Sequence, residues 1–530
     1  MDALADSLKV IADWITQHIT MWALIATGLF LTVVTRGVQV RHLPTMIRQV
    51  ASSRSGAAGG ISSFQAFAIS LAARVGVGNV FGVAAALLYG GPGAVFWMWV
   101  VALVGMATAF FEATLAQIFK VRAPDGSFRG GPAFYMARGM GGAGGRVMAG
   151  VFAVITLVTC GFIITSVQSN AVAGTLVAAL GGGEGSALPG FGGLSAAQLV
   201  VAGLVLVLTA VVVFGGIRAV ARVTEWMAPV MALIYIVLVA VVCLLNLGDF
   251  WRVIGRIISS AFAPEPLVGG LGGGVLAAVI NGTKRGLFSN EAGQGTAPNA
   301  AATATVAHPV QQGLIQSLGV FVDTIIVCTA TAFIILVSGV YSPALVEAGK
   351  LTPDAAGSLT SDAVAATLGS WTAIPMAIVI FVLAFSSIIA AATYSEVSMT
   401  FISERPEWRW LPRLVSVVST GLGALATLTV VWNTVDITMA VMTLTNLIAL
   451  VWLARWGVGA LRDWDAQRAA GRNAPLFIGV GNPYLPGDLP GDVWTGERAS
   501  LAEADGTADD VVPAATPASS QPAASTGADA

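Results

Sequence analysis

The feature that most constrains this chain is a series of hydrophobic runs of about 20 residues, each long enough to cross the hydrocarbon core of a bilayer. They recur from Met21 to near Trp456. Soluble domains carry roughly 25% charged residues, whereas here only 10% are charged and 56% are hydrophobic. A water-soluble fold cannot hide that much apolar surface, so the expectation is an all-α integral membrane protein. Eleven transmembrane helices are expected, at 20–38, 61–89, 91–120, 148–181, 196–216, 225–247, 270–305, 311–339, 369–402, 411–432 and 436–456.

The flanks carry less. The stretch from Met1 to Thr20 lacks the basic start, short apolar run and small-residue cleavage site of a signal peptide, so helix 1 is expected to stay as an anchor. From about Gly471 the chain turns Ala/Pro/Ser-rich with acidic spots, which reads as a disordered tail. A formal net charge of −2 suggests no attraction to nucleic acid. Cys160, Cys243 and Cys328 sit in apolar runs without CxxC spacing and read as buried core residues. His18, His42 and His308 have no nucleophile or metal spacing nearby, which argues against an enzyme.

Orientation follows from Lys and Arg, which stay in cytoplasmic loops. With the N-terminus outside, the inner loops hold 18 basic residues, among them Arg41, Lys120, Arg138, Arg413 and Arg468, and the outer side keeps only Lys9, Arg252, Arg256 and Lys350. The expected topology is N-terminus outside, C-terminus cytoplasmic, in a cell (inner) membrane.

Two spans are interrupted. Span 2 reads SLAARVGVGNVFGVAAALL and span 7 reads VINGTKRGLFSNEAGQGTAPNAAA. A shift of 211 residues superposes them without gaps: Arg74 on Arg285, Asn79 on Asn290, Gly82 on Gly293, then Phe110 on Phe321 and Glu112 on Asp323. That offset equals five spans, and an odd number of spans per repeat inverts the second copy in the membrane. The expected layout is an N-terminal segment and helix 1 over 1–58, a first five-helix repeat over 59–250, an inverted second over 251–470, and a tail over 471–530. Paired broken helices at equivalent positions mark a transporter's binding site. The unwound turn at Val75, Gly76, Val77, Gly78 and Asn79 offers amide N–H groups for a carboxylate and carbonyls for a cation, and an amino acid carries both charges. Close helix packing through the Gly78-x-x-x-Gly82 spacing is the other reading of those glycines.

The runs GGPGAVFWMWVVALVG (Gly90 to Gly105), RVGVGN, GGPAFYM, KRGLFSNEAGQGTAPN and FVDTIIVCTATAFIIL resemble the alanine or glycine:cation symporter family, also called sodium:alanine symporters. The resemblance covers about residues 20 to 456. It implies the five-plus-five inverted-repeat fold of neurotransmitter:sodium symporters, cation-driven uptake of alanine or glycine, and no cofactor beyond the sodium ion. By similarity to these families the Val75–Asn79 break takes the substrate carboxylate, while Thr283, Ser289, Asn290 and Gln168 are candidates for the amino group and pocket wall. By the same analogy sodium meets the hydroxyls of Ser386 and Ser387 and carbonyls near Ala72 and Val75. Where that family usually has Trp a few residues after the hydroxyl pair, this chain has Ala391, which implies a roomier pocket open to serine, threonine or a larger neutral amino acid.

The charges inside spans need partners. Arg74 and Glu112 lie 38 apart, as do Arg285 and Asp323, so a salt bridge within each repeat is expected. Glu291, Glu396 and Asp436 leave proton coupling open as the alternative to sodium. A passive facilitator or channel is the remaining class, and channels need no paired broken helices.

Overall fold

The computed structural model describes residues 10–52, 61–123, 126–179, 194–262, 274–425, 428–491 and 493–495. In a hydrocarbon medium each backbone N–H and C=O must find its partner within the segment, which selects helices. Two short strands, Val121–Arg122 and Phe128–Arg129, form the one paired sheet among the described residues.

In chain order the helices include α1 (Val10–Val34), α2 (Leu43–Ser52), α3 (Ser63–Arg74), α4 (Gly78–Gly90), α5 (Gly93–Ile118), α6 (Gly142–Val177), α7 (Ala196–Val213), α8 (Gly216–Leu245), α9 (Phe250–Ser260), α10 (Val275–Asn290), α11 (Pro309–Val337), α12 (Ser370–Ile402), α13 (Trp410–Leu425), α14 (Thr434–Trp452) and α15 (Ala454–Ala469). Starts are written locally. Ser62 with Gln65 forms a capping box for α3, Ser195 with Gln198 does so for α7, and His308 with Gln311 for α11, each satisfying first-turn amides.

Among the described residues eight helices are long and apolar enough to span a bilayer, and the bent α3–α4 pair makes nine. The two remaining expected spans are described only in part. α10 and α13 have 16 residues each, about 24 Å of rise against a core of about 30 Å. Parts of the stretches expected to complete them, 270–273 and 426–427, lie outside the described residues.

α5 packs against α10 and α11, α12 runs along α6 and α13, and α3 lies between α8 and α12. The broken segments are thus enclosed on all sides, and every residue from Ala66 to Leu88 is buried. Large apolar side chains face outward instead on the peripheral helices, among them Val200, Val207 and Val211 of α7 and Trp226, Leu233 and Val237 of α8. Such a belt has no favourable contact in water and matches lipid.

The expected disordered tail needs correction over its first part. Phe477, Val493 and Trp494 are buried, Phe477 N donates to Ala307 O (3.0 Å) and Gly479 N to Trp494 O (2.8 Å). Three large apolar side chains give this stretch enough burial to fold against the helix ends; residues 496–530 lie outside the described residues. Cys243 is a second correction: Cys160 and Cys328 are buried, but Cys243 is only half-buried.

Candidate functional site

The first break lies between α3 and α4, whose axes bend by 46°. Val75 leaves the helix at φ −77°, ψ 79°, and the amides beyond it lose their helical acceptors. Side chains replace them: Gly76 N donates to Asn79 Oδ1 (2.9 Å) and Val77 N to Gln168 Oε1 of α6 (3.3 Å). Gly76 must be glycine for steric reasons, since a Cβ there would collide with Ser387 Oγ. Gly78 likewise lies against Phe288 and Ser289 of α10. The structure therefore brings Val75 through Asn79, Gln168 and Ser289 together, all buried.

Asn79 is the hub. Its Nδ2 donates to Asp323 Oδ1 (2.6 Å) and Ser289 Oγ (3.0 Å), and Ser289 Oγ donates to Asp323 Oδ2 (2.7 Å). Cys328 Sγ lies 3.3 Å from Asn79 Nδ2 and 3.2 Å from Ser289 Oγ. Asn290 reaches the same cluster through Thr324, to which its Nδ2 donates (3.2 Å); Thr324 Oγ1 in turn donates to Asp323 Oδ2 (2.8 Å). Asp323 sits in a π-helical stretch, Phe321–Cys328, a geometry that recurs at functional sites. Thr283 does not join them. It lies seven residues before Asn290 on α10, about 10 Å along the axis, and its buried hydroxyl makes no hydrogen bond.

The hydroxyl pair of α12 converges on the end of α3. Ser387 Oγ donates to Ala72 O (2.9 Å) and is 3.1 Å from Ala73 O, while Ser386 Oγ reaches Leu383 O (2.8 Å) and Ala72 O (3.3 Å). Several oxygens converge here without a neighbouring formal charge in these contacts, the donor set of a hard monovalent cation. Ala73 O was not among the residues expected. Ser387, Ala391 and Ser395 follow at i, i+4 and i+8 on one face of α12, with Ser387 near Gly76 and Ser395 near Gly161, and Ala391 is buried.

The expected salt bridges within each repeat are not formed. Glu112 Oε2 accepts from Gly293 N (3.1 Å), and its Oε1 accepts from Gly295 N (2.8 Å) and Asn446 Nδ2 (2.6 Å). Arg74 gives Nη1 to Gln316 O (3.0 Å), with Nε and Nη2 unpaired. Asp323 is held by Asn79, Ser289 and Thr324. The physical reason is that an unwound turn at membrane depth strands amide donors, and a charge-assisted acceptor on them outweighs a pairing elsewhere. The arrangement is reciprocal. Glu112 of the first repeat braces the second break, and Asp323, its counterpart at the 211-residue offset, braces the first. Other charges pair locally: Lys284 with Asp13 and, at 3.9 Å, with Asp436; Arg413 with Glu396 at 2.7 Å.

The second break is longer than the first. α10 ends at Asn290, Glu291 adopts a left-handed backbone (φ 55°), and Gly293 and Gly295 follow at φ 90° and 81° before a single turn, Pro298–Ala301. Glu112 and Asp323 were visible in the sequence as an aligned pair of acids; what their spacing could not show was the cross-connection.

Comparisons place the chain among known proteins. A profile described as the sodium:alanine symporter family matches residues 1–478. The chain is 40% identical to the amino-acid carrier protein AlsT of Bacillus subtilis, over 94% of this chain and 99% of that protein. It is 34% identical to the sodium/alanine symporter AgcS of Methanococcus maripaludis, over 81% and 90%. Among solved structures it resembles MhsT in complex with L-phenylalanine, at a TM-score of 0.52 and 16% identity, over 76% of this chain and 91% of that one. This last likeness speaks for the fold alone, a membrane transporter fold. On the family match and these identities, the chain belongs to the sodium:alanine symporter family.

Proposed function

We propose that this protein is a secondary active symporter that takes up a small neutral amino acid, alanine, glycine or a close relative, together with sodium by alternating access. The observation that carries the reading is how near Ser387 lies to Gly76, where an added Cβ would clash with Ser387 Oγ. It sets the amides of the first break, suited to a carboxylate, directly beside the oxygens of Ala72, Ala73, Ser386 and Ser387, suited to a cation. A bound carboxylate and a bound sodium are then neighbours, and each favours the other electrostatically. Gln168 Oε1 and Asn79 Oδ1 hold the amides of Val77 and Gly76 until a substrate carboxylate takes their place. Ala391, with its small side chain on the face of α12 that carries Ser387, leaves room for side chains larger than methyl.

The reading includes the inverted repeats over 59–250 and 251–470, supported by the reciprocal bracing of Glu112 and Asp323. It includes the inner membrane with the N-terminus outside, supported by the distribution of basic residues. Neither nucleic acid nor a cofactor has a role in it. Radiolabelled alanine uptake into vesicles holding the purified protein tests it. Accumulation above the external concentration is expected with an inward sodium gradient and not with choline in its place. Accumulation driven equally by a proton gradient without sodium assigns the coupling to protons, and equilibration without any gradient dependence makes the protein a facilitator; either overturns the proposal.

A further inference from the structure

A crevice of about 360 Å³ opens on the flank of the helix bundle. Its walls are α8, α9 and the part of α11 from Ile325 to Phe333, including Tyr235, Cys243, Phe250, Ile254 and Ile326. α9 forms its roof. Phe250, Val253, Ile254 and Ile257, at i, i+3, i+4 and i+7, turn into the crevice. The opposite face carries Arg252 and Arg256, and Trp251 between the two faces is 78% exposed. A short helix with an apolar underside, an aromatic edge and a basic outer face lies in the plane of the membrane interface. Tyr235, at the inner end, is ten residues before the end of α8, about 15 Å or half the hydrocarbon thickness below that interface.

The crevice is lined almost wholly by apolar side chains. Its two hydroxyl-bearing side chains are already engaged, Tyr235 OH with Thr331 Oγ1 and Thr329 Oγ1 with Trp99 Nε1 (2.7 Å). A buried water needs two to four polar partners, so the occupant is apolar. It is supplied from the bilayer side, where Ala240 at the rim is exposed. Charge at the roof selects the headgroup. Arg252 is paired with Asp249 (2.6 Å), and Arg256 makes no side-chain ion pair among the described residues, leaving one positive charge over at the headgroup level.

We propose that this crevice is a binding site for an acyl chain of an anionic phospholipid, with the chain lying along Tyr235 and the phosphate beside α9. The site sits close to the transport machinery: the Tyr235 hydroxyl meets Thr331, whose Oγ1 also lies 2.8 Å from the carbonyl oxygen of Asn79. A lipid in the crevice therefore touches a side chain two contacts from the first break.

The test uses the full chain in vesicles of phosphatidylethanolamine and phosphatidylglycerol, the latter carrying a photoactivatable diazirine at mid-chain. After irradiation, peptides covering 240–257 and 325–333 are expected to carry at least about five times the label per residue found on the lipid-facing residues of α7. Ala240→Trp and Ile254→Trp, which fill the crevice from its rim and its roof, should each reduce that label at least about fivefold while the protein stays monodisperse. Ala240 faces lipid, so the first variant is not expected to disturb folding. Labelling no greater than on α7, or labelling that both variants leave unchanged, overturns the site. Equal labelling from a phosphatidylcholine probe in phosphatidylcholine vesicles overturns the anionic headgroup.

Discussion

Ser387 and Asn79 carry most of the account at the scale of single residues. Ser387 lies against the turn at Gly76 and reaches the carbonyls of Ala72 and Ala73. Ser387→Ala is therefore expected to abolish the stimulation of alanine uptake by sodium, measured as initial rate across a sodium titration; unchanged stimulation would remove the ion from this place. At Asn79 the amide nitrogen satisfies Asp323 while its oxygen satisfies Gly76 N. Asn79→Asp places a second carboxylate against Asp323 and removes that donor. Like charges at this spacing disfavour each other by several kcal/mol when desolvated, so uptake is expected to fall at least about a hundredfold, and retention of normal uptake at neutral pH would contradict the hub role. Residue types in the breaks were readable from the sequence because Gly, Asn and charge inside an apolar span have no lipid-facing use. Thr283 misled because a polar residue in the right helix was one full stretch too far along it. Asp323 was visible only as a charge, and its neighbours depend on a helix 244 residues away from Asn79 in sequence.

Among the elements, the decisive pairing is that of each broken helix with an unbroken helix of the other repeat. Glu112 on α5 holds Gly293 N and Gly295 N, and through Asn446 it also holds α14. Hydrogen bonds to a charged group contribute roughly 1.5–3 kcal/mol each. Glu112→Gln keeps the shape but gives up the charge and one acceptor oxygen, so a loss of about 2 kcal/mol is expected, read as a lower melting temperature, together with a fall in maximal uptake of at least about tenfold. A variant with normal stability and uptake would show that the second break does not need its brace. The 211-residue offset made the two acids equivalent on paper, but it equally suggested pairing each with the arginine of its own repeat. Spacing along a chain cannot tell contact within a repeat from contact between repeats; desolvation of the stranded amides decides it, and that is a property of the assembled fold.

Over the whole molecule, the segment from Leu476 to Trp494 ties the ends of several helices together. Trp494 Nε1 donates to Gln117 O (2.9 Å), Arg138 Nη2 to Pro490 O (2.7 Å), and His308 stacks edge-on against Trp464 and Phe477. Val310 N donates to His308 Nδ1 (3.2 Å), so the ring proton sits on Nε2, toward Asp463 Oδ2 (3.2 Å). Burial pushes the His308 pKa below its usual value, outweighing the pull of Asp463. A neutral native form and a protonatable undocked form mean that docking is at full strength above the ordinary histidine range, near 6.5, and weakens as pH falls below it. Hydrogen exchange over 474–495, corrected for intrinsic rates, should accordingly show less protection at pH 5.5 than at pH 7.5, and His308→Gln should flatten the difference. Composition hid this segment, because its few aromatics are diluted by Pro and Gly, whereas the spans themselves were legible wherever they were long.

The central claim is that substrate and sodium occupy adjoining halves of one site and therefore bind cooperatively. Titrating alanine binding to the purified protein at several sodium concentrations, and sodium binding at several alanine concentrations, tests it most directly. Thermodynamic linkage requires the two ligands to raise each other's affinity by the same factor, expected to be at least about tenfold and to vanish in Ser387→Ala. Alanine affinity that does not change with sodium would contradict the account.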